Sequence, residues 1–234
     1  MAMNNPYRIR ENLYCIEHIM SFGLVRSFLV IGNDKALLID TGLGRDDLRS
    51  VVEEITDLPI EVIYTHSDGD HVGGAEQFNK SYMHSIEIEH YKKRFEKAQT
   101  MIELNEKDFV SCGEYSFEVI HIPGHTPGSI ALFERKHRFI IGGDSLQVGP
   151  IFMFGNGRNI DDYLKSLEKV YKLVNDVDVI YASHNTLEFD PQNISVLIEA
   201  IRSIKDNKIE GIPQERFENK VKLYSYKNVS FYAS

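Results

Sequence analysis

The stretch Thr65-His-Ser-Asp-Gly-Asp-His71 decides how this chain is interpreted. It gathers two imidazoles and two carboxylates into one short segment, where like charges repel one another. Bound divalent cations give a reason for such crowding, because they keep carboxylates ionised and imidazoles neutral. A polar surface loop is the plainer interpretation, but it does not call for so many metal-ligating side chains. We therefore expect a metal site at this segment.

The elements predicted around this segment alternate between strands and helices. Apolar residues 60–64 form a buried strand that ends at the cluster, and residues 217–232 alternate as a strand does. Apolar residues recur at helical spacing in four segments, residues 46–55, 86–98, 161–174 and 193–205. Asp161 is the expected N-cap of the third of these helices. This order predicts a layered α/β protein with mixed sheets.

Three further polar residues each follow an apolar predicted strand and open a loop: His125, Asp144 and His184. Glycines and prolines beside His125, and glycines before Asp144, fix tight turns and let backbone approach a bound ion. Open α/β sheets place their sites at the carboxyl ends of strands. We therefore expect these three residues to join the 66–71 cluster in one site.

Together with Leu38-Ile-Asp-Thr-Gly42, these residues resemble the five ordered motifs of the metallo-β-lactamase-fold, glyoxalase II-like hydrolase superfamily. The resemblance covers roughly residues 10 to 210. It implies an α/β fold, a four-layer αβ/βα sandwich of two mixed β-sheets with outer helices, and residues 1–234 as one such domain. It also implies two divalent metal ions at one edge, with zinc expected first and iron or manganese left open.

The resemblance implies a complete set of metal ligands. One ion would take His66, Asp68 and His125, the other would take Asp70, His71 and His184, and Asp144 would bridge both. Asp70 is also the expected catalytic residue, which orients the nucleophile or accepts its proton. Asp40 corresponds to the family's acid that orients a ligand imidazole.

Asp68 departs from the family pattern, which is His-x-His-x-Asp-His at this loop. As a ligand, its carboxylate would make the first metal position harder and would favour iron or manganese beside zinc. Alternatively it points away, and a single ion binds at Asp70, His71 and His184. We favour ligation, since carboxylates bind all three metals.

The implied function is a metal-dependent hydrolase. Its metal-activated water would attack a small ester, thioester, lactone or phosphodiester. Asp144 stands where the true β-lactamases commonly have cysteine, which disfavours antibiotic hydrolysis. Glyoxalase II proteins add a C-terminal helical domain, whereas one clear helix follows His184 here, which disfavours glutathione thioesters. Two alternatives stay open: a di-iron redox or oxygen-active protein of flavodiiron type without the flavodoxin domain, and a metal-binding sensor with weak turnover.

The apolar segment Gly149–Gly155 follows Asp144, which falls at the fourth of the five motifs. We predict that Phe152 and Phe154 line a substrate pocket, although a buried loop that closes the core explains the segment equally well. His84 and His90 lie outside the motifs, and we expect them on the solvated surface.

The bulk composition sets the remaining expectations. The chain has 234 residues, 42% hydrophobic content and a formal net charge of −9. It shows no long basic run, which disfavours nucleic-acid or membrane partners and leaves a small-molecule substrate. No N-terminal signal core or membrane-length apolar run is present, so we expect a cytoplasmic protein. Two cysteines do not make a disulfide framework, and a homodimer is left open.

Overall fold

The computed structural model describes residues 5–21, 23–94 and 101–234. Within these ranges the first sheet has seven strands, which lie side by side in chain order. They are β1 (Tyr7–Arg10), β2 (Leu13–Met20), β3 (Gly23–Ile31), β4 (Ala36–Ile39), β5 (Ile60–Ile63), β6 (Ser81–His84) and β7 (Ile102–Leu104). The strands from β1 to β4 pair antiparallel, and those from β4 to β7 pair parallel. This sheet is therefore mixed.

The second sheet is also mixed. Its strands are β8 (Phe109–Cys112), β9 (Tyr115–His121), β10 (Ile130–Glu134), β11 (Phe139–Ile141), β13 (Val179–Tyr181) and β14 (Glu188–Phe189). Their spatial order is β14-β13-β11-β10-β9-β8, and β11 pairs parallel with β13 while the other pairs are antiparallel. The strands β9, β11 and β13 consequently run in the same direction.

Helices cover the outer face of each sheet. They are α1 (Leu48–Glu53), α2 (Gly69–Val72) and α3 (Ser85–Arg94) beside the first sheet, and α4 (Ile160–Tyr171) and α5 (Asn193–Lys205) beside the second. One apolar cluster fills the space between the sheets, where Phe28 and Ile39 of the first pack with Phe117 and Phe139 of the second. The predicted αβ/βα sandwich is confirmed.

A third sheet, which the sequence analysis did not predict, lies against the second sheet and α5. Its strands, in spatial order, are β12 (Ile151–Met153), β17 (Val229–Ala233), β16 (Asn219–Tyr226) and β15 (Ile212–Arg216). The segment Gly149–Gly155 is therefore not simply a loop, because Phe152 pairs with Tyr232 in parallel register. The strand character expected of residues 217–232 is confirmed.

The structure moves the start of one predicted helix and describes only part of another. Asn159, not Asp161, is the N-cap of α4: its side chain accepts hydrogen bonds from the amides of Asp161 and Asp162, at 3.0 and 3.1 Å. The helix predicted over residues 86–98 is α3, and the part of that prediction beyond residue 94 lies outside the described residues. Among the helices of the described ranges, each is too short or too polar to span a lipid bilayer.

Candidate metal centre

The predicted site residues meet at one edge of the two central sheets. The 66–71 cluster follows β5, and His125, Asp144 and His184 follow β9, β11 and β13. Two backbone hydrogen bonds join the sheets here: Ile130 N–H donates to Thr65 O, and Arg26 N–H donates to Ser183 O, both at 2.9 Å. The site therefore lies on a seam between two sheets, where the strand directions deliver loops from both sides.

The ligand candidates form two groups that share Asp144. His66, His125 and Asp144 place one ligand atom each within 4.8 Å of one another, and so do Asp70, His71 and His184. Asp144 faces both groups with different oxygens. Its Oδ1 lies 3.1 Å from His71 Nε2 and 3.2 Å from His184 Nε2, and its Oδ2 lies 3.6 Å from His125 Nε2 and 4.0 Å from His66 Nε2. This is the arrangement that a bridging carboxylate requires.

The residues present fit a divalent metal pair. The Nε2 atoms of His66, His71 and His125, and Oδ1 of Asp144, are buried and have no hydrogen-bond partner within the described ranges. Buried polar atoms are nearly always satisfied, so converging orphan atoms of the metal-ligating type indicate a bound cation.

The opposite ring nitrogen of each imidazole has a neighbour that fixes the ring. His71 Nδ1 lies 2.7 Å from Asp40 Oδ2, His125 Nδ1 lies 3.0 Å from Phe152 O, and His184 Nδ1 lies 2.6 Å from Leu24 O. His66 Nδ1 lies 3.0 Å from Thr65 Oγ1. Hydrogen bonds from Nδ1–H to these oxygens direct each Nε2 at the centre, and in the neutral imidazole they leave the Nε2 lone pair available to a metal ion.

Asp40 holds its position through several contacts at once. It follows β4 with a φ of 61°, a left-handed conformation that aspartate tolerates better than most residues. Its Oδ1 accepts from Thr65 N–H at 2.8 Å, and its Oδ2 accepts from Thr65 Oγ1–H at 2.7 Å. The same Oδ2 faces His71 Nδ1. Asp40 thus connects the end of β4 to the start of the metal loop.

The electrostatics of the site favour ionised carboxylates. Burial raises the pKa of Asp144, but the adjacent His184 and His71 outweigh burial and hold that pKa well below its usual value. Burial lowers the pKa of His71, but the carboxylates of Asp144 and Asp40 reverse the shift and raise it well above its usual value. Strongly shifted groups that converge in one place are typical of functional sites.

Asp68 lies beside the first group, close to two of its histidines, and it also has a partner outside the group. Its Oδ2 is 3.3 Å from His125 Nε2 and 3.7 Å from His66 Nε2. The same oxygen forms an ion pair with Nη2 of Arg158. Sequence reasoning did not identify Arg158, because it lies 90 residues from Asp68 in the chain and belongs to no metal motif.

Glu87 is a second residue that sequence reasoning missed. Its buried carboxylate accepts from Ser67 N–H at 2.9 Å and Ser67 Oγ–H at 2.6 Å through Oε1, and from Gly128 N–H at 2.8 Å through Oε2. It therefore ties the 66–71 loop to the loop that carries His125. A charged helix gave no signal of this role, since its acids are normally solvated.

The histidines of α3 and the preceding strand are not on the solvated surface, so that prediction is wrong. His84 is 4% exposed and His90 is 9% exposed. His84 stacks on the ring of His121, with the ring centres 4.0 Å apart. His90 is covered by the chain at Gly157, where a Cβ atom would lie 2.9 Å from its ring.

Phe152 and Phe154 form part of an aromatic cluster beside the centre. The ring of Phe152 lies 5.5 Å from Phe154, 6.0 Å from Phe217 and 5.4 Å from Tyr232, measured between ring centres. The carbonyl of Phe152 is the oxygen that faces His125 Nδ1. Phe152 thus joins the aromatic cluster to a candidate metal ligand, and Phe217 is the 63% exposed member of that cluster.

Residues 20–184 match the sequence profile of the Metallo-beta-lactamase superfamily. The chain belongs to this superfamily. It is accordingly one of its metal-dependent hydrolases, and the predicted family is confirmed. The human "Acyl-coenzyme A thioesterase MBLAC2" is 25% identical over 187 residues, which cover 63% of this chain and 67% of that protein.

A second relative and a solved structure are also similar to this chain. A "Hydroxyacylglutathione hydrolase" of Bdellovibrio bacteriovorus is 30% identical over 139 residues, and the match covers 55% of this chain and 51% of that protein. The chain thus spans about two thirds and about half of these two relatives. The structure of "Metallo-beta-lactamase from Pontibacter korlensis" superposes with a TM-score of 0.75 at 15% identity, and it covers 86% of this chain and 99% of that one. This last likeness shows the fold.

Proposed function

We propose that this protein hydrolyses acyl thioesters at a binuclear metal centre. The observation that carries the proposal is the pair of ligand groups that share Asp144, with buried Nε2 atoms left without partners. In this proposal His66, His125 and Asp68 would hold one ion, Asp70, His71 and His184 would hold the other, and Asp144 would be shared by both positions. A bound metal pair supplies an acidified water and polarises the carbonyl of the substrate.

The residues of the chain then have separate tasks. Asp70 is 26% exposed and lies 3.4 Å from His184 Nε2, so it reaches the open side of the centre, where it can orient the water or accept its proton. Asp40 keeps the His71 ring oriented through Nδ1. No serine or cysteine nucleophile is needed, and the two cysteines are buried with pKa values raised by burial to about 11.

A thioester is favoured over the other candidate substrates for two reasons. The relatives at 25% and 30% identity are named for thioester hydrolysis, of acyl-coenzyme A and of hydroxyacylglutathione. The aromatic cluster around Phe152 also offers an apolar surface for an acyl chain beside the centre. Phe152 pairs with Tyr232 in the third sheet and contacts its ring, so we place the acyl chain against this sheet.

The test is a substrate panel with metal-loaded protein. We expect acyl-coenzyme A of medium and long chain to give a kcat/KM at least tenfold above oxygen esters, lactones, phosphodiesters and lactoylglutathione. Asp70→Ala and His184→Ala should abolish turnover with the fold preserved by circular dichroism. Phe152→Ala should raise KM for long acyl chains and leave acetyl-coenzyme A unchanged. Phe109→Ala, which removes a 61% exposed ring from β8, is the matched control.

Two results would contradict the proposal. If oxygen esters, lactones or phosphodiesters were preferred, the substrate class would be wrong. If Asp70→Ala kept full activity, the assignment of the centre would be wrong. Elemental analysis of unchelated protein separates the redox alternative, because a di-iron protein would retain two iron atoms per chain and show an optical spectrum that a zinc hydrolase lacks.

A further inference from the structure

An ion pair between Asp68 and Arg158 lies beside the first candidate metal position. Arg158 lies in the loop between β12 and α4, and its side chain is 11% exposed. Its Nη2 contacts Oδ2 of Asp68, which also lies 3.7 Å from His66 Nε2 and 3.3 Å from His125 Nε2. The Nε atom of Arg158 is buried and has no hydrogen-bond partner in the part of the chain that the structure describes. A guanidinium left partly unsatisfied gains its stabilisation from the carboxylate it pairs with.

The loop that carries Arg158 is held on both sides. Asn159 N–H donates to Gly124 O at 2.8 Å, next to the ligand His125. Gly157 has a φ of 85°, and a Cβ atom there would lie 2.9 Å from the ring of His90. The guanidinium is therefore a cation fixed by the fold, since the loop has little room to withdraw it.

We propose that Arg158 offsets the charge of Asp68 and thereby makes the first metal position weaker than the second. A neutral imidazole at residue 68 would add no charge to this position, whereas Asp68 adds one negative charge and Arg158 cancels it. The guanidinium also repels a divalent ion bound between His66 and His125, because it is held against Asp68 Oδ2 and cannot move away as a cation in solution could. The second position, at Asp70, His71 and His184, has no such neighbour among the described contacts.

This inference rests on the metal centre of the proposed function, and it names Arg158 as a positioning residue that acts through Asp68. It leads to a distinct metal stoichiometry. At low free zinc or manganese the second position fills while the first stays largely empty. The protein therefore passes from one to two bound ions over a wide range of metal concentration. If residue 68 were histidine, as in the family pattern, the guanidinium of Arg158 would lose the carboxylate it pairs with.

The test is a titration of chelator-stripped protein with zinc alone, and then with manganese alone, against a chromophoric chelator. Arg158→Met should tighten the weaker of the two sites at least tenfold, and Arg158→Lys, which keeps the charge, should stay within about threefold of the wild type. Asp68→His should weaken that site at least tenfold, because it leaves the guanidinium unpaired beside the ion. The double variant Asp68→His, Arg158→Met should restore two tight sites. Arg202→Met, on the exposed face of α5, is the matched control.

The outcomes are separable. If the wild type bound no divalent metal, the proposed function would fail. If the wild type bound two ions but Arg158→Met left the weaker site unchanged or weaker, the metal centre would stand and this inference would be overturned. Equal zinc affinity of Asp68→His and the double variant would overturn it as well. A circular dichroism spectrum and a urea midpoint for each variant exclude misfolding as the cause.

Discussion

Replacement of Glu87 by glutamine tests how the 66–71 loop and the loop that carries His125 are held together. In the wild type, Oε1 accepts two hydrogen bonds from Ser67 and Oε2 accepts one from Gly128. Glutamine keeps the shape of the side chain, and its amide oxygen can still accept from Ser67. Its NH₂ group then faces the buried Gly128 N–H, so two donors meet and the backbone amide loses its acceptor.

The expected loss follows from these contacts. A buried donor without a partner costs about 2 kcal/mol, and two charge-assisted hydrogen bonds that become neutral cost about 1 kcal/mol together. The loop cannot relax to admit water, because a Cβ atom at Gly128 would already lie 2.3 Å from the backbone nitrogen of Glu87. We therefore expect Glu87→Gln to lower the free energy of unfolding by about 3 kcal/mol in urea denaturation of the metal-free protein.

A matched control lies on the same helix. Glu89 is 68% exposed and pairs with Lys92, so Glu89→Gln should change the free energy of unfolding by less than about 0.5 kcal/mol. The effect should also depend on pH. Burial raises the pKa of Glu87, but hydrogen bonds from Ser67 and Gly128, with nearby His66, hold it below 4.5. This stabilisation is thus present above pH 4.5 and lost as pH falls further. A Glu87→Gln midpoint equal to that of Glu89→Gln would refute the reasoning.

Three further predictions follow from buried contacts. Asp40→Asn should lower metal affinity about 10- to 100-fold in chelator competition, because the amide NH₂ facing His71 Nδ1 favours the tautomer that protonates Nε2; unchanged affinity would argue against this role. Burial and nearby His121 lower the pKa of His84 to about 4, so between pH 7 and pH 5 the unfolded chain takes up a proton that the folded chain does not. The wild type should therefore lose about 2 kcal/mol of stability over this range, and His84→Gln should abolish that loss; urea midpoints at both pH values check this. Tyr163→Phe should cost about 1–2 kcal/mol in urea, because the hydroxyl donates to Ser145 O at 2.7 Å in a buried site, whereas exposed Tyr171→Phe should be neutral.

The parts of the site that sequence could predict are those encoded locally. His66 to His71, His125, Asp144 and His184 each end an apolar strand, and a run of apolar residues followed by a metal-ligating side chain is visible within ten or so positions of the chain. Strands and helices with clear periodicity, such as α5, were predicted with their correct bounds. The layered α/β class and the convergence of these residues were inferred from that local order, and the αβ/βα sandwich was inferred from the resemblance to the superfamily.

The parts that sequence could not predict depend on partners far apart in the chain. Arg158 and Glu87 look like ordinary surface charges, and only the packed fold brings them to Asp68 and to the loops at Ser67 and Gly128. The third sheet was missed for a similar reason. β12 has only three residues, and its partner β17 is far away in the chain. No local periodicity can reveal such a pairing.

The seam between the two central sheets also affects how the protein folds. The candidate ligands extend from His66 to His184 and follow strands of both sheets, so the complete centre would exist only after the sheets have docked. Metal would then bind the native chain far better than the unfolded one. At a free metal concentration of 100 times the dissociation constant, this preference adds about 2.7 kcal/mol to stability, and the thermal midpoint should rise with metal supply. A cell short of metal would thus lose protein to proteolysis as well as activity, because the same ions that serve the reaction would keep the two halves of the sandwich together.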